Sequence, residues 1–469
     1  MDIASLTIKK ARELLDKREI SADELRAEFV DYASVRNSAL NAFLEIYEKP
    51  RPAPIAADGP LSGIPGIIKD NILYKSKRCT AGSKILEDYI ATYDATVIKK
   101  LERAGAEIIG KGNLDEFAMG STGEYSAFGP TKNPHDESRV SGGSSSGPTA
   151  AVASGMALFG LGSETGGSIR MPASWCGVVG VKPTYGRVSR HGLIAMASSL
   201  DQIGSVTKNV EDAALIMNII SGHDVMDSTT SPREVPDYKS FLNRDIKGLK
   251  IAVVKEFFSS GLDQQVNAEV QKALLKFQSL GAVVDYVSLP LTDYALATYY
   301  VIVPSEISAN LARFDGIRYG HSEHKHVESL LDVYTKSRSF GFGAEPRRRI
   351  MTGTYALSAG YYDAYYLKAQ KVRTLIKRDF EKIFKDYDVI VGPTSATMAP
   401  KIGEFDNPLA FYLADVYMVQ VNLAGLPAIS IPCGFGELEG KKLPIGLHII
   451  GKHFDEGTLF RVAHAFESR

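Results

Sequence analysis

Three cysteines in 469 residues, Cys79, Cys176 and Cys433, are too few and too scattered for a disulfide framework or a thiolate metal site, since none lies within CxxC spacing of another. So sparse and odd a count fits a reducing compartment. Charge of one sign is missing as well: 54 basic residues face 55 acidic ones, a formal net charge of -1. A chain whose main task is to grip a nucleic-acid backbone needs a basic face, so that class is set aside, although a local patch is compatible with the balance. Long apolar runs are absent. The best candidate, residues 149–162, is short and rich in Gly and Ala, well below the roughly 20 residues that a membrane-spanning helix needs. The opening MDIASLTIKKARELLDKREISADEL has no apolar core of the signal-peptide kind. A soluble cytoplasmic protein with no membrane partner is expected. Internal repeats and low-complexity tails are lacking too.

What is present is an ordinary globular composition, 44% hydrophobic and 23% charged, in a chain long enough to bury a large core. Residues 1–60 read as mostly helical, with Ser21 and Glu24 as a capping box for the second helix, and end in a Pro/Ala loop from Pro50 to Pro60. Residues 61–210 hold most of the Gly and Ser clusters, the composition of a segment packed close to backbone and ligand. From 249 onward a buried strand (249–256), an amphipathic helix (266–281) and a second strand (282–289) make a βαβ unit. Residues 291–380 read as mainly helical, with a loop near 341–346. Apolar strands at 387–393, 426–433 and 443–451 and a closing helix complete the chain. Strands alternating with helices predict an α/β fold with helices on both faces of a sheet.

Three glycine-rich elements carry the chemistry: GIPGIIKDNI (63–72), SGGSSSGPTAA (141–151) and GLGSETGGSIRMPAS (160–174). Each has a plain alternative. GGSSSG could be a flexible linker, but apolar segments flank it and a buried helix is expected directly after it, over Thr149–Ala157. GLGSETG spaces its glycines one residue too far for a dinucleotide fingerprint. GAEIIGKG (105–112) approaches a P-loop, yet Gly112 stands where Ser or Thr must hold Mg²⁺, so a strand with tight turns is expected. Gly143 to Gly147 matches the G-x-S-x-G nucleophile elbow, which must follow a strand directly; the preceding NPHDESRVSGG reads as loop.

A serine hydroxyl becomes a nucleophile when a base removes its proton. Lysine can be that base if burial favours its neutral amine. A second serine can relay the proton, and glycine turns can aim backbone N–H groups at an oxyanion. On these motifs, in this order, the chain resembles the amidase signature family, whose pattern runs roughly GGSSGGSAA, then LG-T-D-TGGSIR-PA, with a lysine upstream. The resemblance implies a Ser–Ser–Lys triad at Lys69, Ser144 and Ser168. Ser144 follows Lys69 by 75 residues and Ser168 follows Ser144 by 24. It places oxyanion-hole N–H groups at Thr165, Gly166 and Gly167. Further matches at 176–204, 310–320 and 360–376 are similar to the branch of A subunits of aspartyl/glutamyl-tRNA amidotransferases. That branch implies one α/β/α domain over residues 1–469 around a wide mixed sheet, with N-terminal helices (1–60), signature core (61–210) and the remaining sheet and helices (211–469). It implies hydrolysis of L-glutamine, ammonia passed to a B subunit that uses ATP and Mg²⁺ on misacylated tRNA, a small C subunit, and no metal or cofactor in this chain. By the same resemblance the α-carboxylate of glutamine goes to Arg349, with the register among Arg347, Arg348 and Arg349 open, its ammonium to Asp415, and Tyr300 touches it.

The chain departs from the pattern at Ser146 (usually Gly), Pro148 (usually Ser) and Glu164 (usually Asp). The first is expected to crowd a glycine turn, while proline is harmless in the first turn of a helix. Other readings remain beside this one: a stand-alone amidase for a small amide, an inactive scaffold, a Cys–His glutaminase using Cys79 or Cys176, and a metal site at His321, His324 and His326, a stretch read instead as a polar loop.

Overall fold

The computed structural model describes residues 2–49, 51, 59–258, 261–404, 412 and 414–468, without the side chain of His326. Most of the expected Pro50–Pro60 loop therefore lies outside the described residues. Thirteen strands are described: β1 Phe43–Ile46, β2 Pro65–Lys69, β3 Glu107–Gly112, β4 Lys132–Asn133, β5 Asp136–Val140, β6 Phe159–Glu164, β7 Val179–Lys182, β8 Gln202–Thr207, β9 Lys250–Val254, β10 Val283–Val287, β11 Val389–Pro393, β12 Ala428–Leu438 and β13 Lys441–Gly451. Eleven form one sheet in the order β1-β3-β2-β6-β8-β7-β12-β13-β11-β9-β10, and β4 pairs with β5 alone. The sheet is mixed. β2 runs parallel to both β3 and β6, and β9 to both β10 and β11, while the strands between β6 and β11 pair antiparallel.

Side chains alternate across a strand, and the core divides accordingly. Ile251, Val253, Val389, Val391, Ile429, Ile431 and Ile449 face the helices Ile8–Asp16, Ala22–Leu40, Thr96–Arg103, Val210–Ile220, Gln264–Ser279 and Glu456–Glu467. Ala252, Val254, Ile390, Ala428 and Ile450 face Thr292–Leu311, Lys368–Asp386 and Val419–Ala424. Both faces are covered, which is why β6 and β11 are buried along their whole length, and β11 reads as a near-continuous apolar run. The α/β fold with helices on both faces is as the alternation predicts.

The differences are local. The first sixty residues also contain β1, a short edge strand held antiparallel on β3; it is too brief to leave a period in the sequence. Ser21 and Glu24 do form the reciprocal capping box. The helix expected over Thr149–Ala157 is Ser146–Ala153. It starts earlier because the chain turns at Ser145, and it stops at Gly155, whose φ of +79° suits glycine. Pro148 thus falls in its first turn, where no N–H is required. Ser146 occupies the first helical position and donates to Asn113 O at 3.3 Å, so its own backbone needs no glycine; its Cβ packs instead against Gly123, whose φ is +86°. The segment read as loop before the G-x-S-x-G match holds β5, a strand of the small ladder and not of the main sheet.

Close packing at the sheet centre fixes β2. Gly66 pairs with Phe159 of β6, and a Cβ on Gly66 would lie 2.1 Å from the phenyl ring. Gly66→Ala is expected to destabilise the protein by about 1–3 kcal/mol through overpacking, seen as a lowered unfolding temperature. Adding Phe159→Leu should recover part of the loss. Strict additivity of the two changes would show that this contact is not what demands glycine.

Candidate active site

Lys69 ends β2, flanked by β3 and β6, and is fully buried. Its Nζ lies 2.8 Å from Ser144 Oγ, 3.0 Å from Ser145 Oγ and 3.1 Å from Ser163 O of β6. As an ammonium Lys69 donates to all three oxygens; counting protons assigns the directions for the neutral amine. Ser145 Oγ donates to Ser163 O at 3.0 Å and accepts from Ser163 N–H at 3.3 Å, so towards Lys69 it can only accept. A carbonyl also only accepts. A neutral amine has two N–H groups and one lone pair, and both N–H groups are spent on Ser145 and Ser163. The lone pair is left for Ser144 Oγ–H. Burial pulls the Lys69 amine down to about 7, against the opposing pull of Asp115, Asp201 and Glu164.

Ser144 and Ser145 lie at the start of the helix Ser146–Ala153, after a cis Gly143–Ser144 peptide bond. The second glycine turn, 165–168, joins β6 to the helix Arg170–Cys176. The two turns are pinned together by the Ser145 N–H, which donates to Ser168 O at 3.0 Å. Ser168 is 7% exposed, and among the described residues its hydroxyl makes no hydrogen bond. Among the described residues, no acceptor takes the N–H groups of Gly166, Gly167 or Ser168, which leaves them available to a developing oxyanion. Gly167 has φ of +137°, and Met418 sits where a Cβ would go; at Gly166 the Tyr299 hydroxyl does. Thr165 Oγ1 lies 3.3 Å from the Tyr299 hydroxyl and donates to Met196 Sδ at 3.4 Å.

Glu164, one methylene longer than the aspartate of the pattern, reaches past the turn. Its Oε2 accepts from the N–H groups of Ile169 (3.0 Å) and Arg170 (3.2 Å), and its Oε1 from the Arg170 guanidinium and Asn422 Nδ2. Burial alone would raise this carboxyl, yet the Arg170 charge and fork hold it below the usual range.

The three substrate-binding candidates meet in one cluster. Tyr300 donates to Asp415 Oδ2 at 2.9 Å, and its ring stacks on Tyr412 at 4.0 Å between centroids. The buried Arg349 guanidinium lies 5.4 Å from the Tyr300 ring and 5.6 Å from the Tyr412 ring, and its Nε donates to Glu345 Oε1 at 2.7 Å. Arg347 and Arg348 are exposed; Arg348 reaches the rim of the cluster through Glu345, and Arg349 alone of the three arginines is buried within it. Burial raises the Asp415 carboxyl to about 6, against Ser121, Tyr300 and Arg349. The cluster adjoins the turns by two routes. Tyr299 packs edge-on against Tyr300 and touches Thr165. Ser121 donates to Asp415 Oδ1 at 2.7 Å, and its carbonyl accepts from Gly143 N–H at 2.8 Å.

Sequence reasoning passed over Ser145, Asp115, Ser121 and Tyr299. Ser145 carried a signal, standing inside GGSSSG. Asp115, buried and raised to about 6, accepts from the N–H groups of Gly123 and Tyr125 and crowds Gly143, and no motif marked it. The rival readings fare as follows. Burial pushes the thiol of Cys79 up to about 12 and that of Cys176 higher still, so neither is a ready thiolate. Lys111 of the P-loop-like segment is buried against Asp70 at 3.1 Å and donates to Ile72 O. His321 pairs with Glu323 and His324 lies beside Ser322; the side chain of His326 lies outside the described residues. No group of three metal-binding side chains occurs among the described residues, and no described helix is long and apolar enough to cross a membrane.

The chain is similar to known proteins along its length. A family model described as Amidase matches residues 25–460. The A subunit of the glutamyl-tRNA(Gln) amidotransferase of Caldanaerobacter subterraneus subsp. tengcongensis is 57% identical, over 100% of this chain and 97% of that protein. The protein of the same name from Thermoanaerobacter pseudethanolicus is 56% identical over the same shares. The crystal structure of the A subunit of the glutamyl-tRNA(Gln) amidotransferase from Thermotoga maritima superposes with a TM-score of 0.84 at 45% identity, over 100% of this chain and 96% of that one. With a matching family model over most of its length and relatives this similar end to end, the chain belongs to the amidase family.

Proposed function

We propose that this chain is the glutamine-hydrolysing component of a tRNA-dependent amidotransferase. The observation that carries the reading is the buried Lys69 amine, 2.8 Å from Ser144 Oγ, beside a cluster in which Arg349, itself paired with Glu345, offers a cation and Asp415 an anion. Relatives at 57% and 56% identity carry the name of such a component.

In this reading Ser168 Oγ attacks the carboxamide carbon of glutamine. Its proton passes to Ser144 Oγ as the Ser144 proton passes to Lys69 Nζ. The C–O bond forms, and the carbonyl oxygen becomes an oxyanion facing the N–H groups of the 165–168 turn. Collapse breaks the C–N bond, and Lys69 returns the proton through Ser144 to the leaving ammonia. Water then cleaves the acyl-Ser168 ester by the same relay, releasing glutamate. Arg349 faces the α-carboxylate and Asp415 the α-ammonium, with Tyr300 orienting Asp415. No cofactor takes part in this hydrolysis. ATP and Mg²⁺ act on a B subunit that amidates Glu-tRNA(Gln) or Asp-tRNA(Asn) with the ammonia, a C subunit completes a heterotrimer, and the complex is cytoplasmic.

Ser168→Ala is expected to lower kcat for ammonia release from glutamine by at least about 10⁴-fold, and a fluorophosphonate should label Ser168 in the wild-type protein alone. Unchanged ammonia release in the variant would refute the nucleophile. The pH dependence has a defined sign. Lys69, drawn down to about 7, is an ammonium below that pH and cannot accept a proton, so kcat rises with pH along a limb centred near 7. Asp415, raised to about 6, loses its charge below that pH, so KM for glutamine rises as pH falls through 6. A kcat flat from about pH 5 to about pH 9 would count against the buried base. Asp415→Asn should raise KM for glutamine about 10- to 100-fold, by the worth of a charged hydrogen bond, and leave a simple aliphatic amide unaffected. Equal losses for both substrates would favour a stand-alone amidase.

A further inference from the structure

Three segments wall the 165–168 turn and the cluster beside it. The helix Thr292–Leu311 supplies Tyr299 and Tyr300 and, further along, Glu306 and Asn310. The segment 194–200 supplies Met196, whose sulfur accepts from Thr165. Residues 415–424 supply Asp415, Met418 against Gly167, and Asn422 against Glu164. Away from the reacting groups one side chain joins two of them directly and the third through Ser199. Arg373, on the helix Lys368–Asp386, donates from Nε to Leu423 O at 2.9 Å, from Nη1 to Ser199 Oγ at 2.9 Å and from Nη2 to Ser199 O at 3.0 Å. Ser199 is tied to the first segment: its N–H donates to Glu306 Oε2 at 2.9 Å and its hydroxyl to Glu306 Oε1. Asn310 Nδ2 donates to Met196 O at 3.1 Å.

A guanidinium suits this task because its N–H groups form a rigid planar fork, whereas an ammonium is a point charge. Leu423 O belongs to the last turn of the short helix Val419–Ala424, where carbonyls lack helical partners. Joining it to Ser199 closes the gap between the Met418 and Met196 walls.

We propose that Arg373 is a positioning residue for the hydrolytic site, acting through Ser199 and Leu423 to hold Met196 and Met418 against the 165–168 turn. The proposal rests on the reading of that site as glutamine-hydrolysing. Displacements of about 1 Å in catalytic geometry cost up to 10²-fold in rate. Arg373 also lines a solvent-open cavity of about 600 Å³, with Tyr185, Lys377, Gly425 and His453, so a small planar cation can reach the place of its side chain.

The test is chemical rescue in the assembled complex. Arg373→Ala should lose about 10- to 100-fold in kcat for glutamine with KM nearly unchanged, because Tyr300, Arg349 and Asp415 hold one another. Millimolar guanidinium or methylguanidinium should restore most of the rate, and equal urea or sodium chloride should not. Arg373→Lys, the variant to use if Arg373→Ala does not fold, should show a lowered kcat at a near wild-type unfolding temperature. Fluorophosphonate labelling of Ser168, which needs no glutamine, should slow and recover in parallel. A wild-type kcat in Arg373→Ala, no rescue by either guanidinium, or full activity in Arg373→Lys would overturn the proposal. If the wild-type complex releases no ammonia from glutamine, the functional reading fails, and the labelling rates still decide on Arg373.

Discussion

The site depends on one amine kept uncharged in the interior. An isolated ammonium is costly to bury, and a buried lysine without a partner sheds its proton instead. Lys69 meets that condition because β2 lies between β3 and β6 and, among the described residues, no carboxylate touches Nζ. Its neighbours there are two hydroxyls and a carbonyl, which can satisfy a neutral amine once Ser144 donates to it and which bring no negative charge to hold an ammonium. Asp115, Asp201 and Glu164 pull the other way from a distance. The balance leaves the amine near 7, where a base is both free and strong enough to take a serine proton.

The same interior treats other charges differently, and the contrast explains the architecture around the turn. Lys111 is as buried as Lys69, but Asp70 sits 3.1 Å from its Nζ; burial would lower it, and Asp70 with the nearby Cys79 raises it instead. Glu164 likewise stays ionised at full burial, because the Arg170 fork and two backbone N–H groups meet the carboxylate. His448 beside them is driven well below its ordinary value, by burial first and then by Arg170 and Lys182. It stays neutral and can accept from Arg170 Nη1 at 2.6 Å. Paired charges brace the helix after the turn. Lys182, buried and also without a contacting acid among the described residues, is drawn down to about 7 as well, but it donates to the carbonyls of Pro183 and Leu426, whereas Lys69 has serine hydroxyls to exchange a proton with.

How much of this was legible follows from how each feature writes itself into sequence. Strands buried on both faces leave apolar runs, so β9, β11 and β13 stood out, and so did the amphipathic helices packed on them. The edge strand β1 and the two-strand ladder of β4 and β5 bury too little to leave a pattern. The order of strands depends on pairings between segments hundreds of residues apart, which no local period records. In the site, Lys69, Ser144 and Ser168 stand in glycine-rich turns that are themselves a signal, and Arg349 and Asp415 followed from resemblance. Asp115 and Ser121 act through space: one raises the demand on Lys69, the other links Asp415 to Gly143. Their residue types are common and their spacing is set by the fold. Ser145 was in view, but only the proton count around Lys69 separates its task from that of Ser144.

The charge pattern of the cluster bears on the base as well as on recognition. A monocationic substrate bound near the turn would add a positive field at Nζ and lower the Lys69 value further, weakening the base. A monoanionic one would raise it and keep the amine protonated at neutral pH. A zwitterion placed with its ammonium on Asp415 and its carboxylate on Arg349 brings opposite charges to opposite partners, and at distance their fields largely cancel. The base then keeps nearly the same proton affinity with the site empty or filled. On the proposed reading, selectivity for an α-amino acid amide and constancy of the base are two consequences of the same pair, Arg349 and Asp415.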